Sequence, residues 1–402
     1  MVRRTWWQVP QLRTDEDEHR ERRVSWLELF FDLVFVVVIA ELAHHLSEHI
    51  TLQGVGEYAL LFVAVWWSWI GGTFYTERFE TPDVSYRLFT FLQMLPIAAM
   101  AVFAAAGLAS SSAAFGLSYA ASRALIIFLW LRGGFHAPSF RPVTNRYAIG
   151  FSLSVLLFVL SVFIPAPFRY AVWALALVID LLTPIATLKL QARLPRISTS
   201  RLPERFGLFV IIVLGEAIIG VVQAVADQPL AWPTALTGTL GMALVFGIWW
   251  IYFDFIARRA PNFGGWWAVF WNYLHVPLVM SIAAVGAAIQ NILTLDTEAS
   301  RAAVFLLLGS AVATALVSMG LIELTLRRGA DEPTDHRVSV PLKLAAGLVA
   351  VGLGVWGSRL GPIGFLLALL PLLLVQMVYG AYAWFRQELP SEGIVAQEQG
   401  TG

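Results

Sequence analysis

The chain has 402 residues, 58% of them hydrophobic and only 13% charged, with a mean hydropathy of +0.70. A soluble domain carries about 25% charged residues, so this composition excludes an ordinary soluble fold. The 27 Lys and Arg balance 27 Asp and Glu, which leaves no basic surplus for nucleic acid, and the lack of cysteine excludes disulfides and thiolate metal sites.

The first 23 residues are polar and charged, with no apolar run of the signal-peptide kind, so the first apolar segment is expected to be a retained helix. A helix needs roughly 20 apolar residues to cross a bilayer. Segments of that size fall at 24–48, 55–75, 86–107, 112–131, 146–164, 168–188, 204–225, 232–256, 266–290, 301–325, 340–357 and 362–385. The pattern predicts an all-α polytopic membrane protein of about 12 transmembrane helices. Sixteen Trp and 27 Phe suit a lipid-facing surface with aromatic belts.

With the N-terminus set inside, the inner segments hold 23 of the 27 Lys and Arg. The outer loops hold Arg169, Arg301 and Arg359, and Arg123 falls within a helix. Basic loops stay on the cytoplasmic side, so both termini are expected to be cytoplasmic.

The halves read as copies. FTFLQMLPIAAM (Phe89 to Met100) aligns with FWNYLHVPLVMS (Phe270 to Ser281), which matches Pro96 to Pro277. Trp66 and Trp67 align with Trp249 and Trp250. The paired segments are six helices apart, so the expectation is a parallel 6+6 repeat about an axis along the membrane normal. The organisation follows: a cytoplasmic polar tail at 1–23, a first six-helix repeat at 24–190, a cytoplasmic basic linker at 191–203, a second repeat at 204–386, and a cytoplasmic tail at 387–402.

Acids inside the apolar segments are the main functional signal, since one at the bilayer centre costs about 2.5–3.5 kcal/mol or more. Glu28 and Asp32 share one face of the first helix, where two close carboxylates can share a proton. The alternative for Glu28 is a pair with Arg23 or Arg205. Glu216, in VLGEAIIG, has no partner on its own helix and is a candidate proton carrier, or else a neutral interhelical tie. Arg123 keeps its charge and needs a counter-ion from Asp32, Asp180 or Glu216. Asp180 precedes Pro184, where a kink could free carbonyls for a cation. His275, beside Pro277, is a packed histidine or a group that titrates near neutral pH. Asp254 and Glu323 read as snorkelling partners of Arg258, Arg259, Arg327 and Arg328. Glu41, His45 and His49 share a stripe that could bind a divalent ion, or simply form a solvated helix end. No other cofactor is expected.

LELFFDLVFVVVIAEL near the N-terminus and ERFGLFVIIVLGEAI at 204–218 resemble the bacterial low temperature requirement A (LtrA) family, as do WWIYFD at 249–254 and YLHVP at 273–277. The resemblance covers nearly the whole chain and implies a polytopic protein of the bacterial inner membrane, without specifying a chemistry. A lesser likeness is to lysosomal-type potassium channels, built of two six-helix halves with an R-x-x-x-F-S-D motif. Here Phe31-Asp32 lies too far from Arg23, and the second half lacks the Asp.

Acids dispersed over several depths point to a proton-linked transporter or cation channel-like permease acting on protons or small cations. The alternatives are a membrane-embedded enzyme acting on a lipid or other hydrophobic substrate, and a non-catalytic stress-response membrane protein. The lipid bilayer is the expected partner, with oligomerisation open.

Overall fold

The computed structural model describes residues 6, 8–12, 24–80, 83–105, 110–194, 201–226, 228–229, 231–257, 259–262, 264–293, 297–328 and 334–386. The C-terminal tail at 387–402, most of the N-terminal tail and residues 195–200 of the expected linker lie outside them.

Among the described residues the chain forms twelve long helices. In the first half these are α1 (Trp26–Glu48), α2 (Leu52–Arg78), α3 (Val84–Ala104), α4 (Ser112–His136), α5 (Arg141–Leu160) and α6 (Phe168–Ile185). In the second half they are α7 (Arg201–Ala226), α8 (Trp232–Tyr252), α9 (Trp266–Gln290), α10 (Glu298–Glu323), α11 (His336–Trp356) and α12 (Gly361–Arg386). A short helix at Leu188–Gln191 extends α6, and a π-helical turn at Phe253–Ala257 follows α8. Eleven helices, α2 to α12, are long and apolar enough to cross a membrane. The remaining one, α1, is 23 residues long but carries Glu28, Asp32 and Glu41.

Local chemistry sets the helix starts. Ser25 and Glu28 form a reciprocal capping box: the Ser25 hydroxyl accepts from the Glu28 N–H, and the Glu28 carboxylate accepts from the Ser25 N–H at 2.9 Å. Side chains of Thr51, Asp83, Thr297 and Asp335 cap α2, α3, α10 and α11. The outer surface is apolar, with Ile149, Leu348 and Val378 more than half exposed, as a lipid-facing wall requires. Trp26, Trp232, Trp266, Trp356 and Trp384 are exposed at helix ends, where indole rings suit the headgroup region.

In the first half α1 packs on α2 and α3, followed by α3 on α4, α4 on α5 and α5 on α6, with α2 also touching α6. In the second half α7 packs on α8 and α9, followed by α9 on α10, α10 on α11 and α11 on α12, with α8 touching α12. The halves meet where α1 packs on α7 and α9, and where α2 reaches α9. The α7–α9 crossing is close: a Cβ added at Gly220 would lie 2.4 Å from the Gly286 carbonyl oxygen. Only glycine allows backbones to approach in this way.

The helix bounds follow the hydropathy pattern, with two informative departures. Helix α2 runs on to Arg78, past the expected end at 75, and so buries Glu77 and Arg78. Helix α7 starts at Arg201, inside the expected linker 191–203, and buries Arg201 and Arg205. Both extensions bring charged side chains into the bundle, where Glu77 and Arg201 meet each other.

Candidate functional site

At the end of the bundle where α1 begins, α1, α2 and α7 share a buried ion-pair junction. Arg201 donates to Glu28 in a short contact and lies 3.5 Å from Glu77. One turn along α7, Arg205 donates to Asp32 at 2.7 Å and to the Thr76 hydroxyl at 3.0 Å, and lies 4.0 Å from Glu28. The Trp69 indole N–H donates to the same Asp32 oxygen at 2.8 Å. Glu28, Asp32, Arg201 and Arg205 are each no more than 2% exposed. Desolvating so many charges is costly, and only near-complete pairing offsets it. The i, i+4 spacing of Glu28 and Asp32 meets the same spacing of Arg201 and Arg205, so the two faces match turn for turn. Glu28 thus pairs with Arg201 most closely and also with the expected Arg205 at 4.0 Å, while Arg23 lies outside the described residues.

The first half holds a second pair. Arg123 of α4 contacts Asp180 of α6 at 3.3 Å, and its guanidinium lies 4.2 Å from the centre of the Phe151 ring. Asp180 also accepts from Tyr119 in a short hydrogen bond and from Ser154 at 2.9 Å. The arginine therefore has one of its three candidate counter-ions, and Asp180 is fully committed to protein donors. In the second half Lys343 of α11 donates to Glu323 of α10 at 2.9 Å and lies 3.8 Å from the centre of the Phe255 ring. Glu323 is therefore an interior partner of Lys343, with Arg259 at 3.8 Å, rather than a snorkelling partner of Arg327 and Arg328. Asp254 is exposed on the π-helical turn, and Arg258 lies outside the described residues.

Glu216 is different. It lies midway along α7, 8% exposed, and its buried Oε2 has no hydrogen-bond partner. Among the described residues it is the one buried acid inside a helix without a Lys or Arg partner. Glu41 and His44 of α1 are near enough to act on its charge, and Tyr58 of α2 is near enough to feel it. His44 itself is 54% exposed and lies 3.5 Å from Glu48.

Asp32 and Glu216 lie far apart along the bundle. Arg205, which holds Asp32, is eleven residues from Glu216 on α7, about 16 Å of helical rise. The gap is filled by Trp66, Trp69, Phe206 and Phe209, each no more than 1% exposed, with ring centres 4.3 to 5.6 Å apart.

His275 is fully buried, with Nδ1 2.7 Å from the Trp271 carbonyl and Nε2 3.3 Å from the Tyr252 hydroxyl. It packs against Phe206 and Trp271, as a core histidine does. The Glu41, His45 and His49 stripe does not converge. His45 turns to Glu57 of α2 at 3.3 Å, and the His49 ring nitrogen lies 3.0 Å from the His45 carbonyl. Among the described residues no group of three or more His, Asp or Glu side chains is arranged to hold a metal ion.

Sequence reasoning missed Arg201, Glu77 and Lys343 as interior charges. A signal was available for Lys343, which falls within the expected segment 340–357.

The profile of the family described as bacterial low temperature requirement A protein (LtrA) matches residues 23–385, nearly the whole chain. Over 251 residues the chain is 29% identical to a Rhizobium meliloti (strain 1021) protein described as "Uncharacterized protein RA0937". That match covers 60% of this chain and 61% of the relative, so the chain spans about three fifths of its length. No solved structure matches.

Proposed function

The chain belongs to the bacterial low temperature requirement A family and is an integral membrane protein, and we propose that it is a proton-linked transporter or cation channel-like permease in which Glu216 carries the proton. The observation that carries this reading is the contrast among the buried acids. Glu28, Asp32, Asp180 and Glu323 are held by Arg or Lys, whereas Glu216, in mid-helix, has no Lys or Arg partner, and Glu41 and His44 of α1 are the groups near enough to act on it. An acid without a fixed cation can gain and lose a proton at little structural cost, whereas an ion-paired acid loses its partner when it is protonated.

The aromatic cluster between Glu216 and the Arg205–Asp32 pair closes the route toward the start of α1. In this reading the arrangement is a closed state, and passage requires Trp66, Trp69, Phe206 and Phe209 to separate. The reading also sets the protein in the cytoplasmic membrane with both termini cytoplasmic, on the strength of the 23-to-3 split of basic residues. It includes a duplication of the six-helix unit. This is supported by the matching order of packing partners in the two halves and by Pro96 and Pro277 inside the third helix of each.

The test is proton and alkali-cation flux through purified protein in liposomes across a pH series. Wild type is expected to give pH-dependent flux, Glu216→Gln to abolish that dependence, and His275→Gln to retain it. Equal flux through wild-type and Glu216→Gln liposomes at every pH would remove Glu216 from the mechanism.

A further inference from the structure

Away from Glu216, a partly open cavity of about 100 Å³ lies between the halves, walled by α2, α4, α5 and the end of α6 on one side and by α9 on the other. Its lining is predominantly apolar and aromatic, with Phe74, Trp130, Tyr147 and Phe151 among the wall residues. Three polar side chains in the wall have an atom without a partner: the Trp67 indole N–H, the Arg123 Nε–H and the Asn272 Oδ1. Trp67, Arg123 and Asn272 are 3%, 1% and 8% exposed. A buried donor left unsatisfied costs about 1–3 kcal/mol, more when it is charged. Orphan atoms clustered in one cavity therefore mark a place where something else supplies the bonds.

The charge of the wall selects the sign of the ligand. The lining includes Arg78 and Arg123 and no Asp or Glu. Asp180 balances Arg123 from behind, through one guanidinium nitrogen at 3.3 Å, and is itself occupied by Tyr119 and Ser154. The guanidinium fits closely against α2, since a Cβ at Gly71 would lie 2.8 Å from Arg123 Nη1. It is thus fixed in place, with N–H groups to spare, beneath a slot of aromatic rings. Water alone could satisfy the polar atoms but gains nothing from the apolar wall. An organic anion uses both features: its head accepts from Arg123 and Trp67, and its body packs on the rings. Asn272 contributes its amide, whose carbonyl oxygen and NH₂ can exchange places by a half-turn to suit the ligand.

We propose that this cavity binds a small organic carboxylate, with the carboxylate at Arg123 and Trp67 and an apolar ring or short acyl chain against Phe74, Trp130 and Phe151. An apolar protein cavity of about 150 Å³ admits benzene, so the space suits a compact body with the remainder in the open mouth. The site is independent of proton movement at Glu216.

The experiment is binding of benzoate, octanoate and benzyl alcohol to the purified full chain in nanodiscs, by titration calorimetry. Benzoate probes a ring-shaped body, octanoate an acyl one, and benzyl alcohol the same ring without the charge. Saturable binding of either acid is expected, with benzyl alcohol at least tenfold weaker than benzoate. Asn272→Ala, which breaks no ion pair, is expected to weaken acid binding severalfold, and Ala268→Phe, which fills the cavity from α9, to abolish it. Arg123→Gln combined with Asp180→Asn removes the pair together and is expected to erase the preference for the acid. If that double variant fails to fold, the Asn272 and Ala268 variants decide. Saturable binding of neither acid, equal affinity for benzoate and benzyl alcohol, or unchanged acid binding by Ala268→Phe would each overturn the proposal.

Discussion

Helix α7 carries buried charge in two opposite ways. At its start Arg201 and Arg205 are clamped by Glu28, Glu77 and Asp32, with Thr76 and Trp69 adding hydrogen bonds. Eleven residues on from Arg205, Glu216 is also buried but has no cation beside it. The comparison teaches that burial of a charge is not by itself a functional signal. Compensated charges fix how helices dock, and an uncompensated one is free to change state.

Breaking the compensated end should have the largest effect. Arg205→Gln leaves Asp32 buried without its cation and is expected to cost about 3–5 kcal/mol. Thermal unfolding in detergent should show this as a much lower midpoint or failure to fold. Adding Asp32→Asn should restore most of the loss, because a neutral pair replaces a stranded charge. If Arg205→Gln alone unfolds like wild type, the junction is not a lock.

A smaller effect is expected where one donor of several is removed. Tyr119→Phe takes one hydrogen bond from Asp180 but leaves Arg123 and Ser154, at a cost of about 1.5–3 kcal/mol. The same unfolding assay in an Asp180→Asn background should show a smaller cost, since the lost acceptor is no longer charged. Close to Glu216, Gly220→Ala forces α7 away from the Gly286 carbonyl and is expected to cost about 1–3 kcal/mol. Gly215→Ala, just over one turn back, meets nothing within 4 Å and should be close to neutral in the same measurement.

The stability effect of Glu216→Gln should be the smallest, within about 1 kcal/mol, because no ion pair is lost. A large destabilisation in thermal unfolding would mean that Glu216 has a fixed partner and belongs with the locked acids.

The helices were legible in the sequence because apolar runs of spanning length, joined by short basic stretches, suit membrane helices and little else. The Arg123–Asp180 pair was legible in part, since an interior arginine demands an acid and Asp180 was one of three at hand. Arg201 was not, because a basic residue beside an apolar run reads equally as loop. Only the opposing Glu28 and Glu77 decide that it belongs inside. Glu323 was assigned to its sequence neighbours for the same reason: its partner Lys343 is twenty residues away on the next helix. The Glu41–His49 stripe was correct as a helical face, but periodicity on one helix does not reveal that His45 faces Glu57 on the next.

In the proposed mechanism Glu216 changes protonation while the ion-paired acids do not. Infrared difference spectroscopy of the reconstituted protein between high and low pH tests it most directly, through the carbonyl stretch of a protonated carboxyl group. A band is expected in wild type and in His275→Gln and should disappear in Glu216→Gln. Persistence of the full band in Glu216→Gln would show that another carboxyl takes up the proton and would contradict it.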